Sequence, residues 1–456
     1  MTKEDKDNTG IQTRENGSSD MGDGLGEEKD NTRKKIPRRT MLRAAAVSAA
    51  AALLGASGVQ RAPGTTTAAG GGNGKTGAIV PDAPGTDSTY ADPTKTTGTL
   101  PGKLGTRSPF EQPVKKPSDI SSRTPLQDLY GIITPSDLHF ERSHAGVPRI
   151  HPDKYELLIH GMVERPMIFT LRDLKRFPAV SRIAFIECSG NFRSGKETLT
   201  AQEICGLTSQ SEWTGVMLST LFWEVGVSPK ATWFLAEGSD AAVMTRSIPV
   251  AKGWKDAMIA YGQNGEAIRP EQGYPARLFL PGWEGNTNVK WIRRIELSDQ
   301  PFMTREETSK YTETIRDHKI RQFSFDMDAR SIITYPSYPQ QVEKGWIEIR
   351  GIAWSGRGKI DRVEVSTDAG KHWAKAVLQE PVLDKAHTYF RYLWYWNGQP
   401  TEIMSLAVDD TGYRQPTMKQ LIQARGTDMG GYHVNPVTAW VLEGDGTVVF
   451  KPEKWK

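Results

Sequence analysis

Cys188 stands directly after a mostly apolar run, Arg182-Ile183-Ala184-Phe185-Ile186-Glu187, and before Ser189-Gly190-Asn191. A backbone that turns at those small residues lifts the thiol out of a sheet and towards a cleft. Thiolate sulfur is a soft ligand suited to redox-active metals, and cations beside it lower its pKa. Arg193 and Arg142 can supply such cations if folding brings them close. A lone cysteine in this setting is more often an inert buried side chain, and Cys205 reads that way. With only these 2 cysteines the chain can build no disulfide framework, zinc site, Cys-x-x-Cys pair or Cys-x-x-Cys-His haem attachment. Redox chemistry here must rest on another bound cofactor.

Three other segments gather polar groups on apparent loops. Phe140 to Pro148 holds Arg142 and His144; Gln272 to Arg277 ends in a cation entering a strand; Pro281 to Trp291 holds two glycines, Asn286, Asn288 and Lys290. Backbone amides and cations on loops suit an anionic group such as phosphate, although charged loop residues are usually only solvated. No Walker or Rossmann fingerprint is present, which argues against an ordinary nucleotide site. The formal charge of +4 is small for 456 residues and does not suggest the broad basic face of a nucleic-acid-binding protein.

The elements that must position these groups follow from pattern. A chain of this length suggests two folded domains. Residues 1–61 comprise a polar start, the run Pro37-Arg38-Arg39-Thr40-Met41-Leu42-Arg43, and an Ala/Val/Leu stretch from Ala44 to Leu54. That stretch falls short of the roughly 20 apolar residues of a membrane span. Paired arginines before it point to a twin-arginine export signal, hence a periplasmic protein, with Pro37 and Met41 departing from the usual consensus. Residues 62–120 are rich in Gly, Thr and Pro and read as a linker.

Residues 121–317 read as a mixed α+β domain. Its strand candidates are Tyr155–Gly161, Arg182–Glu187, Arg277–Leu280 and Trp291–Leu297, with a capped helix start at Thr170. Residues 318–445 change to short strands around Trp346–Trp354, Val363–Ser366, Tyr389–Trp396 and Met404–Val408, separated by turns such as Asp368-Ala369-Gly370. This pattern predicts an antiparallel sandwich of immunoglobulin type, and pattern alone also admits a barrel.

In order and spacing, these motifs resemble the sulfite oxidase family of molybdopterin enzymes from about residue 121 to 440. The family's metal-binding Cys-Ala/Ser-Gly-Asn-x-Arg motif is matched by Cys188 to Arg193. Its Arg-Asn-His loop is matched by Arg142-Ser143-His144, its Gly-Phe/Tyr-Pro-x-Arg segment by Gly273 to Arg277, and its Val-Lys-Trp segment by Val289-Lys290-Trp291. Tyr311 stands at the spacing of the family's active-site tyrosine. The resemblance implies a molybdenum–molybdopterin cofactor ligated by Cys188. It also implies that His144, Arg277, Asn288 and Lys290 hold the pterin and its phosphate, with Asp240 a further member. Arg142, Arg193 and Tyr311 would face the substrate. Gln272 replaces the family's usual histidine in the cofactor set.

A second departure concerns substrate. Sulfite oxidases carry an arginine late in the second domain, and Gly431-Tyr432-His433-Val434-Asn435-Pro436 lacks one. With Asn435 or a neighbour near that position, free sulfite loses a counter-charge. The resemblance therefore leans to the branch that oxidises sulfane sulfur on a sulfur-carrier protein, passing electrons to a c-type dihaem cytochrome subunit. The expected assembly is a homodimer core or a heterotetramer with that cytochrome, and no partnership with nucleic acid or membrane is expected. Three rival readings remain open. One is a dehydrogenase of free sulfite. Another is an exported methionine sulfoxide reductase subunit, against which the second domain argues. The third is a non-catalytic exported binding protein.

Overall fold

The computed structural model describes residues 102–118 and 120–453; the proposed signal region and residues 62–101 of the proposed linker lie outside the described residues. Within the stretch read as linker, Lys116–Ser118 already forms a strand. It pairs with Ser121–Arg123, which in turn pairs with Glu141–Arg142, so the loop bearing Arg142 hangs from a three-stranded sheet.

Two five-stranded sheets build the α+β part. One runs in the order Met167–Thr170, Glu156–Gly161, Ile292–Ser298, Trp233–Gly238, Thr245–Pro249; only the Glu156–Gly161 and Ile292–Ser298 pair is parallel. Leu157 and Ile159 are buried while Glu156 is exposed, the period-2 alternation of a strand with one face on a core. The other sheet joins Glu266–Ala267, Met258–Gln263, Thr208–Met217 and Val180–Glu187, with Arg277–Phe279 also on Met258–Gln263. Thr170 does start a helix: its hydroxyl and the Asp173 carboxylate form a reciprocal capping box. That helix ends after one turn, at Leu174.

The last third consists of two antiparallel sheets over one core. Arg330–Tyr335, Gly345–Trp354, Thr388–Trp396 and Val377–Leu378 form one. Ala374–Lys375, Ile360–Ser366, Thr401–Asp409, Ala439–Leu442 and Val448–Lys451 form the other. Ile347, Ile349 and Ile352 of the first pack with Val363, Val365, Ile403 and Trp440 of the second. The same cluster takes in Leu126, Phe185, Ile204 and Cys205 from the α+β part, so one apolar core runs through both. Polar contacts cross at the same place: Trp354 Nε1 donates to Glu187 Oε2 at 2.6 Å, and Thr208 Oγ1 meets His387 Nε2 at 2.9 Å.

Candidate active site

At the end of Val180–Glu187 the chain leaves its sheet. Cys188 N still donates to Leu207 O (3.0 Å), but Asn191 N turns back to Cys188 O (2.9 Å), closing a tight turn. Asn191 holds that turn from inside, donating to Glu187 Oε1 (3.0 Å) and Cys205 O (2.8 Å) and accepting from Leu207 N (2.8 Å). Cys188 thereby reaches a cleft of about 560 Å³, counting the open space at its mouth. Of the sequence-derived candidates, Arg142, His144, Cys188, Gln272, Arg277, Asn288, Lys290 and Tyr311 all line it.

Two glycines are required by the crowding here. A Cβ on Gly285 would lie 2.9 Å from Glu187 O, so the Pro281–Trp291 loop can approach the cysteine turn only without a side chain. Gly273 has φ +113°, a conformation open mainly to glycine, and turns the chain from Gln272 back into the strand of Arg277. Tyr311 follows a π-helical turn, Glu306–Lys310, whose Glu306 and Glu307 point inward.

The electrostatics favour an anionic occupant. Arg277 is buried; its Nη1 and Nη2 donate to the carbonyls of Gln272 (2.9 Å) and Asn288 (2.8 Å), and its Nε has no partner among the described residues. Burial, with no carboxylate to offset it, pulls Arg277 down to about 9. Lys290 Nζ donates only to neutral oxygens: Glu271 O (2.9 Å), Arg142 O (3.1 Å) and Ser143 Oγ (3.2 Å). Burial, then the nearby Arg277 charge, pushes Lys290 down to about 7. Cations desolvated without a paired carboxylate call for a ligand that brings negative charge, as a pterin phosphate does.

The thiol behaves differently from expectation. Arg142 does favour the Cys188 thiolate, but burial outweighs it and pushes the thiol up. A bound metal would reverse that, because coordination deprotonates the thiol. Among the described residues no group of three or more His, Cys, Asp or Glu side chains could hold a metal ion. A single protein sulfur on an anion-seeking cleft suits a metal carried in a cofactor with its own ligands, and this donor set fits molybdopterin.

Other candidates have roles that sequence did not show. Tyr311 OH lies 3.0 Å from His144 Nε2, with the Arg246 guanidinium 5.1 Å from its ring centre. Burial, then Cys188, raises its pKa, which keeps the hydroxyl a donor. Gln272 donates to Phe140 O (2.8 Å) and so braces the Arg142 loop. Asn288 spends its amide on its own loop, at Leu280 N (2.7 Å), Glu284 O (3.1 Å) and Trp283 O (3.2 Å). Asp240 is buried beside the cleft, not in its lining, accepting from Met244 N (3.1 Å) and placing negative potential on Lys290 and His144. Arg193 is not brought in. The turn that presents Cys188 carries the chain away, leaving Arg193 exposed with its N–H on Ile204 O (2.9 Å). Asn435 is likewise outside the lining, its amide turned inward to Ala329 O (2.9 Å).

Sequence reasoning missed the residues behind the lining. Arg246, fully buried, binds Glu307 Oε1 (2.8 Å) and Glu284 Oε1 (2.8 Å); Glu284 Oε2 also meets His433 Nε2 (3.2 Å), which lies 3.5 Å from Glu313 Oε1. Burial opposes the charge on His433, yet Glu284 and Glu313 raise its pKa overall. Tyr432 sets its ring 5.5 Å from that of Tyr311 and packs where a Cβ on Gly190 would point. Glu284, Tyr432 and His433 lay in segments already singled out; Arg246 carried no local signal.

Comparison with known proteins agrees with this arrangement. An oxidoreductase molybdopterin binding domain matches residues 144–306, and a Mo-co oxidoreductase dimerisation domain matches residues 321–439. The sulfane dehydrogenase SoxCD from Paracoccus pantotrophus, a solved structure, is 40% identical with a TM-score of 0.75, covering 79% of this chain and 96% of that one. The mitochondrial sulfite oxidase of Drosophila melanogaster is 31% identical over 66% of this chain, and NADH nitrate reductase 1 of Phaseolus vulgaris 28% identical over 69%. The chain spans 58% and 39% of the length of those two relatives. It belongs to the sulfite oxidase family of molybdopterin enzymes. Within that family it is like the molybdenum-binding chain of sulfane dehydrogenase, and its cofactor is molybdopterin-bound molybdenum.

Proposed function

We propose that this chain catalyses oxidation of a sulfane sulfur held on a carrier protein and passes the electrons to a c-type dihaem cytochrome subunit. It acts in the periplasm after twin-arginine export. Its second domain, an immunoglobulin-type sandwich in this reading, forms a homodimer core or a heterotetramer with the cytochrome. Likeness to sulfane dehydrogenase supports the reaction class. The observation that carries the substrate choice is the second-domain layer packed behind the cleft lining. Tyr432 is aromatic and uncharged, and His433 has its charge spent on Glu284 and Glu313.

The bound cofactor supplies two-electron oxidation of sulfur with oxygen from water. The chain's own part is binding and orientation. Cys188 would be the ligand to the metal, and Arg277 and Lys290 would neutralise phosphate. Arg142 would stabilise the negative charge on the oxygen that the sulfur gains, and the Tyr311 hydroxyl would donate a hydrogen bond there. A free sulfite dianion needs several convergent cations when desolvated. With Arg193 turned away and no second-domain arginine lining the cleft, Arg142 is poorly supported for that task. A neutral or singly charged persulfide on a flexible arm makes a smaller demand.

Steady-state rates with sulfite, and with a sulfur-loaded carrier plus cytochrome, test the reading. Low activity with sulfite alone and much higher activity with the loaded carrier is expected. Efficient sulfite oxidation without response to the carrier would restore a sulfite dehydrogenase. Purified protein without molybdenum by elemental analysis would restore a non-catalytic binding protein.

A further inference from the structure

We propose that Arg330, on the second domain, is a positioning residue for the metal-ligating cysteine; the proposal rests on the reading of Cys188 as that ligand. Arg330 opens the strand Arg330–Tyr335, yet its side chain reaches across the domain junction and is only 4% exposed. Its Nη1 donates to Asn191 O and lies 3.2 Å from Glu187 Oε1; its Nη2 donates to Val434 O. Trp354 packs against the same group, with the guanidinium carbon 6.0 Å from its ring centre.

Two of these contacts, with Glu187 and Asn191, bracket Cys188. Glu187 immediately precedes it, is 0% exposed, and shares its carboxylate among Arg330, Trp354 Nε1 and Asn191 Nδ2. Asn191 closes the turn that presents the sulfur, through its N–H on Cys188 O. One planar fork therefore fixes the residue before the ligand and the residue that closes its turn. It also ties both to Val434, next to the Tyr432–His433 layer. A buried charge that only stabilised the fold could sit anywhere along the junction; this one brackets the sulfur. Groups one bond behind a metal ligand set its orientation, and their loss typically costs 10–100-fold in metal affinity or activity. Lysine keeps the charge opposite Glu187 but lacks the fork, so it cannot hold both carbonyls.

The test uses the full-length, cofactor-loaded protein. Arg330→Lys should fold, load molybdenum and unfold within a few degrees of wild type. Its Mo(V) electron paramagnetic resonance lines should shift or split, and kcat should drop about tenfold with KM changed less than twofold. Arg330→Met, which leaves Glu187 without its guanidinium partner, should lose molybdenum or fail to fold; a folded, fully loaded Met variant with the wild-type signal overturns the proposal. So does a Lys variant with wild-type line positions and kcat within twofold. Cys188→Ser is the control for the underlying reading: if it keeps the native Mo(V) signal, the ligand assignment fails whatever Arg330 does.

Discussion

Arg246 is where removal of a single charge should be felt most. Its guanidinium is 0% exposed and holds Glu284 Oε1 at 2.8 Å and Glu307 Oε1 at 2.8 Å, with Nη2 on Glu307 Oε2 at 3.3 Å. At 2.8 Å a unit pair attracts by about 6 kcal/mol at an effective dielectric near 20, most of it offset by desolvation of both ions. Arg246→Met fills the same volume but forfeits that attraction while the carboxylates stay buried. Glu284 keeps His433, whereas Glu307 keeps only neutral donors such as Ser247 N at 2.8 Å. Breaking one side of a buried pair costs about 3–5 kcal/mol, which at about 2–4 °C per kcal/mol is a fall in Tm of roughly 6–20 °C. Scanning calorimetry at pH 7.5 should show that fall, and a Tm loss under 2 °C would refute the argument.

Four further outcomes are expected. Cys188→Ser should abolish turnover while far-UV circular dichroism stays native, because a hydroxyl is a hard, largely protonated ligand; Cys205→Ser should leave turnover nearly intact. Lys290→Met should lower cofactor content of purified protein by tenfold or more, the effect of losing a buried charge-assisted contact of about 1.5–3 kcal/mol. In the wild type, cofactor uptake by cofactor-free protein should weaken as pH rises above about 7, where burial leaves Lys290 neutral; uptake independent of pH from 6 to 9 would contradict it. Arg38→Lys with Arg39→Lys should leave folded, cofactor-loaded precursor in the cytoplasm, as read by fractionation and immunoblot.

Much of the scaffold was legible. Glu156–Gly161, Val180–Glu187 and Gly345–Trp354 show apolar patterns that suit strands, and Thr170 with Asp173 is a cap written in two letters. The loops at Arg142, Cys188, Arg277 and Lys290 were legible because each carries its chemistry within a few residues. What stayed hidden depends on burial between distant segments. Arg330 meets Glu187 across more than a hundred residues, and nothing around Arg330 marks it as a buried ion. The stretch Gly431 to Pro436 read only as lacking an arginine, yet its His433 is buried against Glu284 and Glu313. Proximity in sequence also misled: Arg193 stands five residues from Cys188, but the turn that exposes the sulfur faces the arginine elsewhere. A cation two loops away, Arg142, is the one that reaches it.

The apolar core shared by Phe185, Ile204 and Cys205 with Ile349, Ile352 and Trp440 sets a limit on exchange of parts. Such a chain is no string of cassettes. A hybrid that joins this cofactor-binding half to the second half of a relative must match side-chain volumes across the seam, and must supply partners for Glu187 and Glu284 as well. Mismatched volumes leave voids, each lost methylene destabilising by about 1 kcal/mol. Recombination between relatives should therefore succeed at half-exposed turns such as Asp368-Ala369-Gly370 and fail at the domain boundary near residue 320.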